Sequence, residues 1–342
     1  MFFYHLTHKA IKRKAIMKKI VLLLLSLSLL LSAVSCTDIF SELGTFRNDG
    51  EEYTVFFSVD GVLNETTQNG EIELPADPKK ENYLFDGWFY DSACTTPLRP
   101  GALIEDGDVF YAGWTLDYEK LVNQVAADTQ RANVTVYSIS YNTGFFGGVS
   151  GQRAANGSGI IFKETASAYY VLTNCHVVET MEGYSHVTYK ITDAYENTYE
   201  NVTLVSSSAE HDLAVLKFTK GSADLSVVSL AEHSPSKGDD VLAISQPNGQ
   251  KNTLSLGKCT KIDTANVEPT SGSDITFPVI YHNSPIDHGS SGGMLLNSDL
   301  ELCGVIFAVA YEKESGDFVS GLSIPIENVK EFLSTVNFGK QS

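Results

Sequence analysis

Three short segments of the sequence carry side chains that together could perform nucleophilic catalysis. His176 follows an apolar run, Asp212 stands directly before another, and Ser291 lies in the glycine-rich stretch 289–293. A serine hydroxyl is a weak nucleophile at neutral pH and needs an adjacent base, which an imidazole can provide. A carboxylate behind the imidazole fixes its tautomer and stabilises the imidazolium that forms. The pattern predicts acyl transfer with Ser291 as nucleophile, His176 as base and Asp212 as the residue that orients the base.

The glycines around Ser291 could meet a second requirement of acyl transfer, which is the stabilisation of a developing oxyanion. Glycine adopts backbone conformations that turn neighbouring N–H groups toward one point. Each such donor stabilises the transition state by ~3–4 kcal/mol. We expect the backbone amides of Gly289 and Ser291 to be these donors.

Two nearby residues are rival candidates for catalytic roles. Cys175 precedes His176, but adjacent residues on an extended strand point to opposite faces, which predicts a buried thiol away from the site. Asp193 is the nearest rival to Asp212, and it lies in a polar, loop-like run. The spacing of Cys and His residues does not indicate zinc, so we predict neither a metal nor another cofactor.

The elements that must position these residues are mostly short strands. Apolar runs bounded by polar turns recur at Val134–Tyr141, Gly159–Lys163, Ala168–Leu172, Val187–Ile191, Asn201–Val205, Ala214–Phe218, Asp240–Ile244, Val279–Tyr281 and Gly304–Ala310. Many short strands of this kind predict an all-β barrel or sandwich. Helical spacing of apolar residues predicts a linker helix at 117–133, and a last helix is predicted at Glu327–Ser334.

The three chemical segments also carry a family resemblance, which covers residues 130–342. The motifs are Thr173-Asn174-Cys175-His176-Val177-Val178, His211-Asp212-Leu213-Ala214-Val215-Leu216-Lys217 and Gly289-Ser290-Ser291-Gly292-Gly293. They resemble a trypsin-like serine protease of the bacterial HtrA (DegP/DegQ-like) branch, and the order His, Asp, Ser is that of chymotrypsin. The resemblance implies a chymotrypsin-like double antiparallel β-barrel with the site in the cleft, the same three catalytic roles, and protein or peptide substrates.

Two departures from this branch bear on substrate choice and assembly. His288 stands where the branch usually has Pro; a place at the pocket entrance that favours acidic substrate residues and a plain surface position are both open. The resemblance puts Pro285, Phe307, Ala308 and Val309 near the pocket without a buried charge, which predicts a small apolar residue before the cleaved bond. The chain ends soon after the third motif, so we expect no PDZ domain.

Residues 51–116 are predicted to form a separate β-rich module, with strands at Tyr53–Val59, Glu71–Leu74, Tyr83–Tyr90 and Val109–Trp114. The motifs in order are Tyr53-Thr54-Val55, Phe85-Asp86-Gly87-Trp88-Phe89, Ala93-Cys94-Thr95-Thr96-Pro97 and Tyr111-Ala112-Gly113-Trp114-Thr115. They resemble one copy of the Listeria–Bacteroides repeat (InlB B-repeat), a small β-grasp-like unit of surface proteins. We expect Trp88 and Trp114 to pack in its core rather than to form an exposed binding platform.

The first 35 residues have the pattern of a secretory signal. Basic residues precede an apolar run at Ile20–Leu31, which is too short to span a bilayer with margin, and small residues follow it. Ala33-Val34-Ser35-Cys36 resembles a bacterial lipobox, in which Cys36 would be lipidated; a plain signal with an incidental Cys is the alternative. Met17 is an alternative start that gives a more usual signal. The prediction is an exported lipoprotein, anchored to a membrane in the periplasm or at the cell surface.

The charge of the chain argues against nucleic acid as a partner. The 342 residues include 24 basic and 42 acidic side chains, a net charge of −18, and the basic signal conceals part of the acidity of the rest. A body this acidic repels phosphate backbones.

The predicted organisation is therefore a signal peptide at 1–35, a tether at 36–50, the repeat-like module at 51–116, the linker helix at 117–133 and a protease domain at 134–342. The leading hypothesis is a serine endopeptidase that works through an acyl-enzyme. The alternative is a cell-surface binding or adhesion protein on a protease-like scaffold with little or no activity, and the presence of all three triad residues favours the enzyme. A third hypothesis is a protease whose resting site is misformed until a partner orders its loops. The oligomeric state stays open.

Overall fold

A computed structural model describes residues 52–69, 72–99, 104–265 and 275–338. The predicted signal 1–35, the tether 36–50 and the lipidation candidate Cys36 lie outside these residues. The strands are β1 Glu52–Val59, β2 Val62–Asn69, β3 Tyr83–Phe89, β4 Val109–Leu116, β5 Asn133–Thr143, β6 Val149–Glu164, β7 Ala168–Thr173, β8 His186–Thr192, β9 Thr198–Ser208, β10 Leu213–Thr219, β11 Asp240–Ser245, β12 Thr253–Thr264, β13 Pro278–His282, β14 Met294–Leu296, β15 Leu302–Tyr311 and β16 Phe318–Pro325. The helices are α1 Tyr118–Ala127, α2 Cys175–Val178 and α3 Ile326–Thr335, with short 3₁₀ turns at Thr129–Ala132 and Pro247–Gly249.

The chain divides into two compact units. Among the described residues, one unit holds those up to Pro75 together with those within Phe89–Tyr111, and the other holds Ala76–Trp88 and those from Ala112 onward. The first four strands form a sheet in the order β2-β1-β4-β3, in which β1 is antiparallel to β2 and parallel to β4. The remaining twelve strands belong to the second unit.

The two tryptophans of the repeat-like module pack against one phenylalanine ring, with Trp88 buried and Trp114 half-buried. Trp88 is buried, and the ring of Phe85 meets the rings of Trp88 and Trp114 edge-on at 5.5 Å each. The strand predicted at Glu71–Leu74 is wrong, because its described residues are irregular and Leu74 is exposed. The strand that follows β1 and pairs with it is β2, and its mostly polar, exposed residues lack the apolar pattern that predicts a strand.

Six strands close into a first barrel in the order β10-β7-β6-β5-β8-β9, and all neighbours are antiparallel. β7 and β10 are the most buried strands, since every residue of β7 and all but two of β10 are buried. β-branched and aromatic side chains of this kind fit a pleated surface covered on both faces. These two strands deliver the turns that carry His176 and Asp212.

The other six strands close into a second antiparallel barrel in the order β11-β12-β13-β16-β15-β14. α3 corresponds to the helix predicted at Glu327–Ser334, and it buries Ile326, Val329 and Phe332 at helical spacing. Residues of both barrels share one apolar core. The all-β double barrel predicted from the sequence is confirmed.

Some elements differ from their predicted bounds. β6 begins at Val149 rather than Gly159, because its polar, glycine-rich first half is held by pairing with β5 and not by burial. β12 was not predicted, since its side chains are mostly exposed or half-buried and lack a long apolar run. The predicted linker helix is α1 followed by a 3₁₀ turn. Within the described ranges, the helices are all too short and too polar to cross a bilayer.

Candidate active site

His176 and Asp212 meet at one end of the first barrel. The chain leaves β7 at Thr173 and enters the single helical turn α2, which carries His176, so this residue is not on an extended strand as the sequence suggested. The imidazole Nδ1 lies 2.8 Å from Asp212 Oδ2 and 3.1 Å from Oδ1, and the His176 backbone N–H donates to Oδ1 at 3.1 Å. The carboxylate therefore fixes both the ring and the backbone of His176.

The carboxylate that holds the imidazole is removed from water. Asp212 has no exposed surface, and its backbone carbonyl accepts a hydrogen bond from Asn174 Nδ2 at 2.9 Å. Its φ of +48° is in the left-handed region, which Asp tolerates better than most residues at turns. A buried carboxylate needs hydrogen-bond donors, and two of those that Asp212 receives come from His176.

Ser291 lies on the turn that precedes β14, within a segment from Asp287 to Gly293 that we call the serine loop. Gly289 has a φ of +92°, and a Cβ there would come within 2.6 Å of the Gln246 carbonyl oxygen. Gly292 has a φ of +82°, and a Cβ there would overlap the Ser158 carbonyl oxygen. These positions need glycine because of both the conformation and the close approach of neighbouring backbone.

Residues of the two barrels hold the serine loop in place. Ser158, on β6, donates its N–H to the Ser291 carbonyl at 2.7 Å and its hydroxyl to the Gly289 carbonyl at 2.9 Å. The Ser158 hydroxyl also accepts from the Gln246 N–H at 2.9 Å, and the Asn248 N–H donates to the His288 carbonyl at 2.6 Å. In the described chain, the N–H groups of Gly289 and Ser291 donate to no acceptor. Both predicted oxyanion donors are thus available for a ligand.

The Ser291 hydroxyl itself does not donate to His176. It donates to the Phe307 carbonyl at 3.3 Å. Phe307 is the extra residue at a register shift between β15 and β16, where the ladder skips from Ile306 to Ala308. Such a bulge re-aims a backbone group away from the sheet. In this arrangement the Ser291 hydroxyl is hydrogen-bonded to a backbone carbonyl and not to the imidazole.

A cavity of about 550 Å³ in the second unit contains most of the predicted site residues. Ser291 and His176 both line it, as do the predicted pocket residues His288, Phe307, Ala308 and Val309. Pro285 is exposed and does not line it; its carbonyl accepts from the Ser255 hydroxyl at 2.6 Å. Further lining comes from residues that the sequence did not indicate, namely Ile286, Asp287, Ser290, Ile306 and Tyr311.

The surroundings of Cys175 and Asp193 give each of these rival candidates a structural role rather than a catalytic one. Cys175 is buried, and burial first, then the nearby Glu179 carboxylate, raises the pKa of its thiol to about 12, which disfavours the nucleophilic thiolate. Asp193 is also buried, but it accepts from the Tyr195 and Asn197 N–H groups and from the Tyr199 hydroxyl at 2.8–2.9 Å. Asp193 thus organises its own loop. Among the described residues, acidic, Cys and His side chains nowhere gather in a group that could hold a metal ion.

Ser158, Asn248 and Tyr311 are functional candidates that the sequence reasoning missed. Ser158 stands between two glycines, and Asn248 lies in the turn sequence Pro247-Asn248-Gly249. Those local signals indicate a close approach and a turn, respectively. Neither signal tells which distant backbone group the residue will meet.

Two segments of the chain match known protein families. Residues 157–305 match the trypsin-like peptidase domain, and residues 45–112 match the Listeria-Bacteroides repeat domain. The chain therefore carries both domains, in the order that the sequence motifs indicated.

The peptidase domain is similar to curated serine proteases. The serine protease Do-like HtrA of Bacillus subtilis is 32% identical over 210 residues, which cover 58% of this chain and 44% of that protein. The serine endoprotease DegS of Salmonella typhimurium is 28% identical over 170 residues, which cover 50% of this chain and 44% of that protein. The chain thus spans less than half the length of these relatives. A solved HtrA-type protease with a bound tripeptide is 23% identical, with a TM-score of 0.47 over 63% of this chain and 62% of that one.

Proposed function

We propose that this protein is a serine endopeptidase in which Ser291 is the nucleophile, His176 the general base and Asp212 the residue that orients the base. The observation that carries the proposal is the fully buried Asp212 carboxylate, which lies 2.8 Å from His176 Nδ1, with His176 and Ser291 on one cavity. The trypsin-like peptidase domain and the serine protease relatives support it.

The proposed reaction proceeds in two halves. Rotation of the Ser291 side chain away from the Phe307 carbonyl brings its hydroxyl to His176 Nε2, which takes the proton as Oγ bonds to the scissile carbonyl carbon. The imidazolium then gives that proton to the leaving amine as the C–N bond breaks, and an acyl-enzyme forms. In the second half water attacks the ester carbonyl and His176 takes its proton. The proton passes to Ser291 Oγ as the acyl C–O bond breaks, and the new carboxylic acid leaves. The N–H groups of Gly289 and Ser291 stabilise the oxyanion in both halves.

The substrate would lie as an extended strand along the outer edge of β15. In the described chain this edge has no strand partner beyond Ile306, whose N–H and C=O groups bond to Gly293 and Gly292, while the other edge of β15 is paired with β16 as far as Tyr311. An unpaired strand edge offers N–H and C=O groups to a peptide. Because Phe307, Ala308 and Val309 line the adjacent cavity, a small apolar side chain before the cleaved bond fits best.

Active-site labelling tests the proposal directly. A peptidyl phosphonate should attach to Ser291 in the folded protein, and peptide mass spectrometry should locate the adduct. Ser291→Ala should abolish both labelling and peptide cleavage, whereas Ser298→Ala, in the turn between β14 and β15, should keep both. Labelling at another residue, or full activity of Ser291→Ala, would contradict the proposal.

The direction of the Ser291 hydroxyl supports an additional hypothesis, that the site is inactive at rest. A hydrogen bond to Phe307 competes with the bond to His176 that the reaction needs. If substrate along β15 releases this bond, the rate of phosphonate labelling should rise when an unfolded protein is added. A labelling rate that unfolded protein leaves unchanged would count against this hypothesis.

We also propose that the protein is exported and anchored through a lipid on Cys36. The sequence pattern before Cys36 supports this, and one relative is described as a probable periplasmic serine endoprotease. Labelling of cells with radioactive palmitate should mark the wild-type protein and not Cys36→Ala. Equal labelling of both would overturn lipidation at this residue.

A further inference from the structure

A small polar network joins the first residue of the serine loop, Asp287, to two residues outside the loop. Asn248 touches the loop twice: its N–H donates to the His288 carbonyl at 2.6 Å, and its side-chain Nδ2 donates to Asp287 Oδ2 at 2.7 Å. The other oxygen of Asp287 accepts from the Tyr311 hydroxyl at 2.5 Å and from the His288 N–H at 2.7 Å. We call Asn248, Asp287 and Tyr311 the latch.

The bond from Asn248 to His288 determines where the next N–H group points. The peptide between His288 and Gly289 is trans, so its C=O and N–H groups point in opposite directions. Because the carbonyl is directed at Asn248, the Gly289 N–H faces the other way. That N–H has no acceptor among the described residues, as a donor reserved for a ligand requires. A flip of this peptide would exchange the donor for a carbonyl oxygen, which would repel an oxyanion.

The side chains of the latch hold Asn248 in this position. Asn248 has a φ of +51° in a short 3₁₀ turn, so its backbone is not fixed by a helix or strand of its own. Hydrogen bonds, first from Tyr311 and then from the His288 N–H and Asn248, lower the pKa of Asp287 and keep it an acceptor at neutral pH. Burial and the neighbouring Asp287 raise the pKa of Tyr311 to about 12, so its hydroxyl stays a donor.

We infer that Asn248, Asp287 and Tyr311 are positioning residues that hold the Gly289 N–H toward the oxyanion in the proposed peptidase reaction. The inference rests on that proposed function. Tyr311 also ends the β15 edge along which a peptide would lie. The latch thus links the strand that would bind the substrate to the loop that would stabilise the transition state.

The test separates transition-state stabilisation from substrate binding. Asn248→Gly removes the side-chain amide and still allows the positive φ, and Asp287→Asn removes the charge while keeping the shape. Each should lower kcat about 10-fold and leave KM within about 2-fold, because an oxyanion donor acts only in the transition state. Affinity for a peptide aldehyde, which forms a tetrahedral adduct, should fall by the same factor. Affinity for the cleaved product peptide should not change.

Matched controls make the result specific. Asn252→Gly also replaces an Asn with a φ of +51°, but Asn252 bonds to Asn133 and not to the serine loop, so kcat should be unchanged. Tyr311→Phe removes only the hydroxyl that donates to Asp287, and it carries the same expected loss of kcat in case Asn248→Gly fails to fold. Unchanged kcat in Asn248→Gly or Tyr311→Phe would overturn the inference, as would equal losses in aldehyde and product affinity. Phosphonate labelling of Ser291 in the wild-type protein separately decides whether the proposed function holds.

Discussion

The serine loop and the tip of the β5–β6 hairpin are both rich in glycine, and their surroundings are opposite. In the serine loop, a Cβ on Gly289 or Gly293 would come within 2.6 Å of a neighbouring atom. In the hairpin tip, residues 144–148, a Cβ on Gly147 or Gly148 would meet nothing within 4 Å, and Phe145 is 98% exposed. Glycine serves close packing of backbone in the first case and a solvated turn in the second. Composition alone does not distinguish a tightly packed loop from a free turn.

The largest difference is expected from adding one methyl group to each loop. Gly292→Ala forces a Cβ onto the Ser158 carbonyl at a positive φ, which should displace Ser291 and lower kcat/KM by at least about 100-fold. Gly148→Ala enters open space at an ordinary φ and should change kcat/KM less than 2-fold. Steady-state cleavage of a short peptide measures both. Comparable losses in the two variants would show that close packing around Gly292 does not explain the effect on activity.

A second comparison uses two serines on β6, the strand that runs from the hairpin tip to the serine loop. Ser158→Ala leaves the Gln246 N–H and the Gly289 carbonyl without their partner, at a cost of ~1–3 kcal/mol for each buried group. Peptide cleavage should fall about 10- to 100-fold. Ser150→Ala, in the exposed half of the strand, should leave cleavage unchanged. Retained activity in Ser158→Ala would show that the loop holds its shape without that hydroxyl.

Low pH should weaken the barrel that carries the serine loop. Burial of His282 on β13 lowers its pKa from 6.5 to about 4, so the folded protein holds it neutral while the unfolded chain binds a proton below pH 6.5. The unfolding free energy should therefore fall by up to about 3 kcal/mol as the pH drops from 7 to 4. Urea titrations at several pH values should show a flatter dependence for His282→Gln. The exposed His233→Gln should keep the wild-type slope.

The smallest effect is expected at the hairpin tip. Phe145→Ala removes a ring that packs edge-on against the equally exposed Phe146, and the unfolding free energy should change by less than about 0.5 kcal/mol. Phe218→Ala, in the core of the first barrel, should cost about 3–5 kcal/mol. Chemical denaturation measures both. A destabilisation of several kcal/mol in Phe145→Ala would mean that the tip packs against the body in solution.

The sequence predicted the elements whose side chains are buried and missed those held by backbone pairing. β7 and β10 are mostly apolar and almost fully buried, and their predicted bounds are within one residue of those in the structure. β2 and the first half of β6 are polar and exposed, and only register with a neighbouring strand makes them strands. Local pattern carries information on burial and little on long-range pairing.

The same limit applies to the site. His176, Asp212 and Ser291 stand in local motifs. The structure brings the His176 ring and the Asp212 carboxylate into contact, and it places His176 and Ser291 on the same cavity. Ser158 and Asn248 act on a loop that is 131 and 40 residues away from them, through backbone contacts that sequence spacing does not reveal. Pro285 shows the converse, since the family resemblance placed it near the pocket and it does not line the cavity.

The position of Ser158 also determines at which stage of folding the serine loop can reach its final shape. Ser158 belongs to the first barrel, whereas Gln246, Gly289 and Ser291, which it contacts, belong to loops of the second. The second barrel alone therefore lacks three of the hydrogen bonds that shape its serine loop. If the proposed peptidase activity holds, a chain with only one barrel folded should be inactive, and activity should appear only after both barrels have folded and docked.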